Sequence, residues 1–180
     1  MTKKYELVLD DTISFWGWKL FRIRALISFG SVEVGDLGGY IEKEENLSHD
    51  GNAWVYGDAK VYGDAEVYGN AEVYGNAKVS GDAKVWGDAE VYGNAKVWGN
   101  AKVSGNAEVS ELGDIIVFKN HWSSGRHFTY TKSNKMWKVG CFYGTGQELI
   151  EKAYRDSEKS GNYYKAYVDF VETLERLSEE

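Results

Sequence analysis

The sequence predicts a mainly β protein whose centre is a triangular coil of stacked parallel strands, flanked by an N-terminal β cap and by a C-terminal β segment with two α-helices. Three observations predict this class: an unbroken six-residue repeat from Gly51 to Ser110, β-like segments on both sides of it, and two helical patterns near the end of the chain. One hexad cannot bury a core alone, so the copies must stack, and the repeat predicts about four turns.

Each position of the hexad, Gly-[Asn/Asp]-Ala-x-Val-x, has a physical role in the ten consecutive copies. Ala and Val are two residues apart and therefore point to the same side of an extended strand, whereas the x residues point to the other side. The Gly-Asn or Gly-Asp pair supplies a corner, because glycine adopts positive φ without steric cost. Three such sides close a triangle that small Ala and Val side chains can fill.

Read from Val, the repeat Val-x-Gly-Asn-Ala-x resembles the hexapeptide repeat of left-handed parallel β-helices, with an aliphatic residue first and a small residue fifth. The resemblance covers residues 51–110 and implies a left-handed coil. Weaker hexads place Ile41 and Leu47 in the Ala position and predict that the coil begins near Gly39. The fold implied by this resemblance serves acyltransferases, carbonic anhydrase-like proteins and non-enzymatic scaffolds, so it does not define an activity.

The segments around the repeat divide the chain into three parts. We predict a β cap at residues 1–38, the coil at 39–110 and a C-terminal α+β cap or binding domain at 111–180. A cap is expected because the open end of a coil exposes a sheet edge. Its predicted strands are residues 7–9, 13–16 and 21–26.

The C-terminal part contains β-like runs and then two helical patterns. The runs are residues 115–118, 127–130 and 137–139. Thr145 and Glu148 have capping-box spacing, which predicts the start of the first helix, and the second helix is expected after residues 160–162. The apolar stripe of the second helix predicts a face packed on the rest of the protein, or alternatively a partner-binding face. It comprises Tyr164, Tyr167, Val168, Val171 and Leu174.

Composition predicts a soluble protein in a reducing compartment. Lys+Arg 21 against Asp+Glu 28 gives a formal net charge of −7, which makes non-specific binding to nucleic acid unfavourable. The single cysteine, Cys141, excludes an internal disulfide. Neither a signal-peptide core nor an apolar run of membrane-spanning length is present, so we expect a cytoplasmic protein without membrane contact.

The outward x residues of the coil stack into columns when they are 18 positions apart. One column consists of Glu72, Glu90 and Glu108, headed by Trp54 and flanked by Tyr74 and Tyr92. A second consists of Lys60, Lys78 and Lys96, flanked by Tyr62, Ser80 and Trp98, and a third contains Glu66, Lys84 and Lys102. Like charges on strands about 4.8 Å apart cost a few tenths of a kcal/mol per pair.

An opposite column on a second subunit would compensate this repulsion. We therefore predict a homo-oligomer, with a trimer favoured, in which the glutamates of one subunit face the lysines of the next. Exposed aromatic side chains favour contact, because they are enriched at interfaces. The alternative is a solvated charged surface. The candidate interface residues are Glu72, Glu90, Glu108, Lys60, Lys78, Lys96, Tyr74, Tyr92 and Trp98.

The sequence predicts no catalytic residue, no metal site and no cofactor. A hexapeptide-type acyltransferase needs a His as general base, and a carbonic anhydrase-like site needs His residues on neighbouring turns, but residues 51–110 contain no His. His49 lies just before them, in the place that a Val occupies in later hexads, where an inward or capping role is expected. No Gly-x-Ser-x-Gly elbow, phosphate-binding P-loop or Cys-x-x-Cys pair occurs.

Residues 111–145 form a basic segment, with five Lys and Arg against two acidic residues, in a chain that is acidic overall. Cations interleaved with aromatic side chains suit a nucleotide, with phosphate on Lys or Arg and the base on a ring. The alternative is a β cap with aromatics inside and lysines outside. The candidate binding residues are His121, Trp122, Arg126, His127, Lys132 and Trp137.

The flanks extend the resemblance. Residues 20–26, 35–42, 46–48 and 140–145, together with the coil, resemble a family of uncharacterised β-helix proteins of bacteriophage and prophage genomes. The resemblance implies an accessory phage protein in the bacterial host cytoplasm. It favours a non-enzymatic binding protein that blocks a host factor or a defence component, either a protein or a nucleotide signal. A hexapeptide-type acyltransferase, with His121 or His127 as base, and a structural or virion scaffold are the alternatives.

Overall fold

The computed structural model describes residues 2–180, and the chain forms two compact units. The first unit extends to Ile115, and the second comprises Ile116–Glu180. The fold class predicted from the sequence is confirmed: the protein is mainly β, with a parallel coil of about four turns, a C-terminal antiparallel sheet and two helices.

The ten hexads form ten two-residue strands that stack in parallel on three faces. One face contains β4 (Trp54–Val55), β7 (Glu72–Val73), β10 (Glu90–Val91) and β13 (Glu108–Val109). The second contains β5 (Lys60–Val61), β8 (Lys78–Val79) and β11 (Lys96–Val97), and the third contains β6 (Glu66–Val67), β9 (Lys84–Val85) and β12 (Lys102–Val103). Each turn donates backbone N–H groups to carbonyls of the next turn, as from Trp54 to Ala71 at 3.1 Å.

The interior of the coil consists of the Ala and Val side chains that the repeat assigns to it. Every Ala and Val of the ten hexads is buried, with at most 1% exposed. The hexad glycines from Gly51 to Gly105 all have positive φ. The roles inferred for the hexad positions are therefore confirmed.

The first turn of the coil differs from the predicted register. Ile41 pairs with Val61, and Leu47 with Val67, so both occupy Val positions rather than the Ala positions expected. The reason is that the segment between Leu47 and Val55 is two residues longer than a hexad. This longer corner contains His49, which therefore does not occupy a Val position either.

An antiparallel hairpin continues the lysine-bearing sheet at its first strand. Strands β1 (Tyr5–Phe15), β2 (Trp18–Ala25) and β3 (Leu37–Ile41) precede β5 in that sheet, and β3 pairs with β5 in parallel. Two separate strands were expected at 7–9 and 13–16, whereas β1 is one strand with a register shift between Val8 and Thr12. The polar Asp10-Asp11 pair lies in this irregular stretch.

Side chains satisfy backbone groups that have no neighbouring turn. Because N–H groups point towards the following turn, the first turn leaves carbonyls without donors. Lys4 Nζ donates to Ala53 O at 2.7 Å, and Tyr5 Oη donates to Leu47 O at 2.7 Å. After the last hexad the groups without a neighbouring turn are N–H donors instead of carbonyls. There a carboxylate oxygen of Asp114 accepts from the N–H of Ser110 at 2.8 Å.

Short 3₁₀ turns, Glu44–Asn46 and Leu112–Asp114, accompany these capping contacts. Asn46 is buried, and its Nδ2 donates to Ala65 O at 2.8 Å. This bond replaces the backbone N–H donor that a regular strand would supply there.

The second unit is a four-stranded sheet covered by two helices. The strands are β14 (Ile115–Lys119), β15 (His127–Thr131), β16 (Met136–Val139) and β17 (Phe142–Thr145), and the helices are α1 (Gly146–Asp156) and α2 (Glu158–Ser178). Their shared core includes Phe128, Trp137, Leu149, Val168 and Val171. The α2 stripe therefore packs on the sheet, as expected.

The ends of the C-terminal elements agree with the sequence in part. Thr145 caps α1, and its side chain accepts from Glu148 N at 3.2 Å. Strand β17 was not predicted. The second helix begins at Glu158 rather than after residues 160–162, because the break is at Ser157. Gly161 lies inside α2, where a Cβ would be 2.0 Å from the ring of Tyr154, so the glycine permits close packing.

A basic–aromatic surface as the candidate functional site

The coil presents a column of three lysines on one face. Lys60 pairs with Lys78, and Lys78 with Lys96, in the registers of β5, β8 and β11. We call these three residues the lysine ladder. Their side chains point outward because the intervening Val side chains fill the interior. The sequence predicted this column, and the strand registers confirm it.

The tip of the β1–β2 hairpin lies over the lysine ladder. Lys60 Nζ and Lys78 Nζ are 5.4 Å and 5.3 Å from the centroid of the Phe15 ring. The rings of Phe15 and Trp18 are 5.6 Å and 5.4 Å from that of Tyr62. The hairpin turn requires positive φ at Trp16 and Gly17. Phe15 therefore stabilises two neighbouring cations through its π face.

This arrangement leaves positive charge without a carboxylate partner. In the described part of the chain, no carboxylate oxygen lies within 4.0 Å of a lysine-ladder Nζ. Lys60 donates instead to the backbone carbonyl of Asp58 at 3.0 Å. Burial, and then the charge of Lys78, lower the pKa of Lys60. The lysines thus form a patch of concentrated positive charge in an acidic chain.

Large aromatic side chains beside the ladder are exposed to solvent. Trp16 is 88% exposed and Trp98 is 54% exposed. A cleft of about 190 Å³ lies between them. We call this site the basic–aromatic surface and define it by the lysine ladder and the rings around the cleft: Lys60, Lys78, Lys96, Phe15, Trp16, Tyr62 and Trp98.

The glutamate column, which we call the glutamate ladder, forms a different face of the coil. Glu72, Glu90 and Glu108 are in register on β7, β10 and β13. Beside them the rings of Tyr74 and Tyr92 stack at 5.0 Å with an angle of 6° between their planes. Burial, and then the charge of Glu90, raise the pKa of Tyr74 to about 12. Tyr74 therefore stays neutral at physiological pH.

Trp54 was expected to be an exposed member of this face, and that expectation was wrong. It is 1% exposed because the N-terminal segment covers it. Its ring contacts Phe29 at 5.2 Å and Tyr5 at 6.1 Å. The third face lacks a single-sign column, since Lys84 lies over Glu66 with Nζ 3.8 Å from the carboxylate oxygen Oε2.

The six candidate residues of the C-terminal segment do not form one site. His121 and Trp122 are brought together beside α2, where Trp122 stacks on Tyr163 at 4.4 Å and His121 Nδ1 lies 2.8 Å from Tyr167 Oη. Lys159 Nζ lies 5.5 Å from the centroid of the Trp122 ring. This cluster is therefore held by the first turns of α2.

The remaining four candidates lie elsewhere in the second unit. Arg126 lines a separate cavity of about 230 Å³ with Cys141 and Lys152. Lys132 Nζ is 3.5 Å from Ser178 Oγ near the end of α2. His127 begins β15 and is partly buried. Trp137 is 2% exposed within the core, so its ring is not available for stacking on a base.

His49 has a capping position at the start of the coil. Its Nδ1 accepts from Lys4 N at 3.1 Å, and its ring stacks on Tyr5 at 4.2 Å. Among residues 2–180, no group of three or more His, Cys, Asp or Glu side chains is arranged to hold a metal ion. Within that same range, no helix is long and apolar enough to cross a membrane.

Comparison of the sequence with protein-family models gives no match, and neither does comparison with curated proteins. The candidate site is therefore defined by its own geometry.

The sequence indicated five of the seven residues of the basic–aromatic surface. The hexad register predicted the lysine ladder with Tyr62 and Trp98 beside it. The contribution of Phe15 and Trp16 was missed, because nothing in the local pattern fixes where a hairpin tip lies. One signal was available: Trp16-Gly17-Trp18 is a turn that carries two large rings, and large rings in a turn are often exposed.

Proposed function

We propose that the chain is a non-enzymatic binding protein that captures an anionic partner through the basic–aromatic surface. The observation that carries the proposal is the unpaired lysine ladder beside exposed Trp16 and Trp98. Like charges in register repel one another, and exposed tryptophan loses the free energy of burial. An anionic partner that covers the rings would compensate both costs.

The resemblance to β-helix proteins of phage and prophage genomes supplies the context of this proposal. We propose that the protein acts in the cytoplasm of a bacterial host and blocks a host factor or a defence component by binding it. The coil supports this role mechanically, because its stacked strands hold the lysines at a fixed spacing. A rigid surface loses little conformational entropy when a partner binds.

The charges of the lysine ladder and the glutamate ladder support a second proposal, a homo-oligomer with a trimer favoured. The glutamate ladder and the lysine ladder have the same spacing from turn to turn, so their charges could pair in register between copies. The hairpin tip argues against this use, because Phe15 lies on the ladder and interrupts a flat contact. Light scattering at low and high salt tests it: a trimer that Lys78→Glu dissociates would support the oligomer, and a monomer at both salt concentrations would exclude it.

Native mass spectrometry of the protein purified gently from a bacterial host tests the binding proposal. We expect a retained host molecule that disappears from the Lys78→Gln variant. Lys84→Gln is the matched control, because Lys84 occupies the same hexad position on the third face and contacts Glu66. Equal retention by both variants would contradict the assignment to the basic–aromatic surface.

A further inference from the structure

We infer that the basic–aromatic surface binds a small nucleotide with at least two phosphates, whose base stacks in the cleft between Trp16 and Trp98. This inference rests on the proposed function and names the class of partner for the same site. It requires that the lysines favour phosphate over carboxylate partners, that the cleft suits one flat ring, and that the surface is too short for a long polyanion.

The presence of lysine rather than arginine on the ladder favours a phosphate ligand over a protein carboxylate. Lysine is depleted in the cores of protein–protein interfaces, where arginine is enriched, whereas lysine is a common point-charge partner of phosphate. All three cations of the ladder are lysines; Lys96 is exposed, and Lys60 and Lys78 are partly buried. Neighbouring ladder rungs are about 4.8 Å apart, so adjacent phosphates of one ligand can contact adjacent lysines.

The cleft favours a flat ring. Its volume of about 190 Å³ is below the roughly 300–1,000 Å³ of pockets that enclose a whole small molecule. Trp16, Trp98 and Tyr62 contribute rings to its lining, with Lys78 and Lys96 beside them. A nucleobase can stack on these rings while its phosphates remain on the open ladder. Such stacking tolerates any base, because every base has a π face.

The surroundings of the surface limit the length of the ligand. Corner carboxylates Asp58, Asp64 and Asp82 lie along the edges of the lysine-bearing face, and the chain carries a net charge of −7. These carboxylates flank the rungs of Lys60 and Lys78, so they exclude a polyanion that is wider than the ladder. A long nucleic acid would also extend beyond the three rungs onto a chain of net negative charge, whereas a nucleotide that spans two or three rungs would not.

Calorimetric titration with three probes, without Mg²⁺ and at low salt, tests the inference. The probes are ATP, inorganic tripolyphosphate and an oligoglutamate peptide. We expect ATP to bind about tenfold more tightly than tripolyphosphate, since only ATP can stack a base. Trp98→Ala should reduce ATP affinity to that of tripolyphosphate, and Lys78→Gln should weaken both. Lys84→Gln should leave both unchanged.

Three results would overturn the inference. Equal affinity for ATP and tripolyphosphate would show charge attraction without recognition of a base. Tighter binding of oligoglutamate would identify an acidic polypeptide as the partner. No binding of any probe would exclude a nucleotide. Trp16→Ala provides a second ring variant on the other side of the cleft, and circular dichroism checks that each variant keeps its β structure.

Native mass spectrometry separates failure of this inference from failure of the proposed function. If a host molecule is lost on Lys78→Gln while ATP does not bind, the surface is a binding site for a different partner. If neither a host molecule nor ATP is bound, both proposals fail.

Discussion

At the scale of single residues, the corner glycines differ in what surrounds them. Gly57 and Gly75 both have positive φ, of 58° and 67°. A Cβ at Gly75 would be 2.9 Å from the backbone N of Gly93 in the next turn, whereas a Cβ at Gly57 would have no atom within 4 Å. The two positions therefore separate the conformational cost of a corner from the cost of contact with the next turn.

We expect Gly57→Ala to reduce the free energy of unfolding by about 1–2 kcal/mol, the cost of a left-handed conformation for a residue with a Cβ. Gly75→Ala should cost at least about 1 kcal/mol more, because the backbone of the next turn must shift. Chemical denaturation of the two variants measures the difference. Equal costs would mean that the turns adjust freely to each other.

Lys4 gives the protein a pH-dependent stability. Burial lowers its pKa from 10.5 to about 8, and Asp50 opposes this shift. Below pH 8 the amine is charged in both the folded and the unfolded state. Between pH 8 and 10.5 the folded state loses its proton first, so the unfolded state binds more protons and stability rises with pH.

We therefore expect the melting temperature to rise above pH 8 and Lys4→Met to reduce that rise. The rise should end near pH 10, because burial raises the pKa of Tyr5 above its usual 10.0 and the unfolded state then loses protons first. Thermal melts at stepped pH measure both effects. A variant with the same pH dependence as the unmodified protein would show that Lys4 is not the group responsible.

At the scale of elements, the start of the coil depends on side-chain donors. The Tyr5 hydroxyl donates to Leu47 O at 2.7 Å, and Glu44 O lies 2.9 Å from the same hydroxyl oxygen. We expect Tyr5→Phe to cost about 1–3 kcal/mol, since it leaves a buried carbonyl without a donor. Tyr92→Phe is the control, because the stack of that ring on Tyr74 does not need the hydroxyl. Urea denaturation measures both, and a larger loss for the control would contradict the capping role.

The strands and helices also show where a sequence pattern is sufficient to predict an element and its ends. The hexads predicted every strand from β4 to β13, because one local rule repeats and each strand meets a copy of itself. Strand β17 and the single long strand β1 were missed. Their pairing depends on partners distant in sequence or on a bulge, and neither leaves a periodic signal. The break between α1 and α2 was misplaced because Gly161 resembles a helix end but serves close packing.

At the scale of the whole molecule, charge sets what the protein can bind. A net charge of −7 repels a long polyanion, and the lysines of the candidate site without a carboxylate partner form one short ladder of three residues. We expect no retardation of random duplex DNA in a gel-shift assay at physiological salt. A salt-dependent shift that Lys78→Gln abolishes would contradict this and would extend the ligand class to nucleic acids.

The sequence by itself determined the coil, its interior and the columns of charge on its faces. A strict period transmits one local geometry to every turn, so residues 18 positions apart must stack. Only the tertiary structure decided where the candidate site lies and which aromatic rings are buried or exposed. It buried Trp54 under the N-terminal segment, and it brought Phe15 onto the lysine ladder with Trp16 beside the cleft. These contacts join segments with unrelated patterns, and their free energy depends on shape and burial that no local repeat encodes.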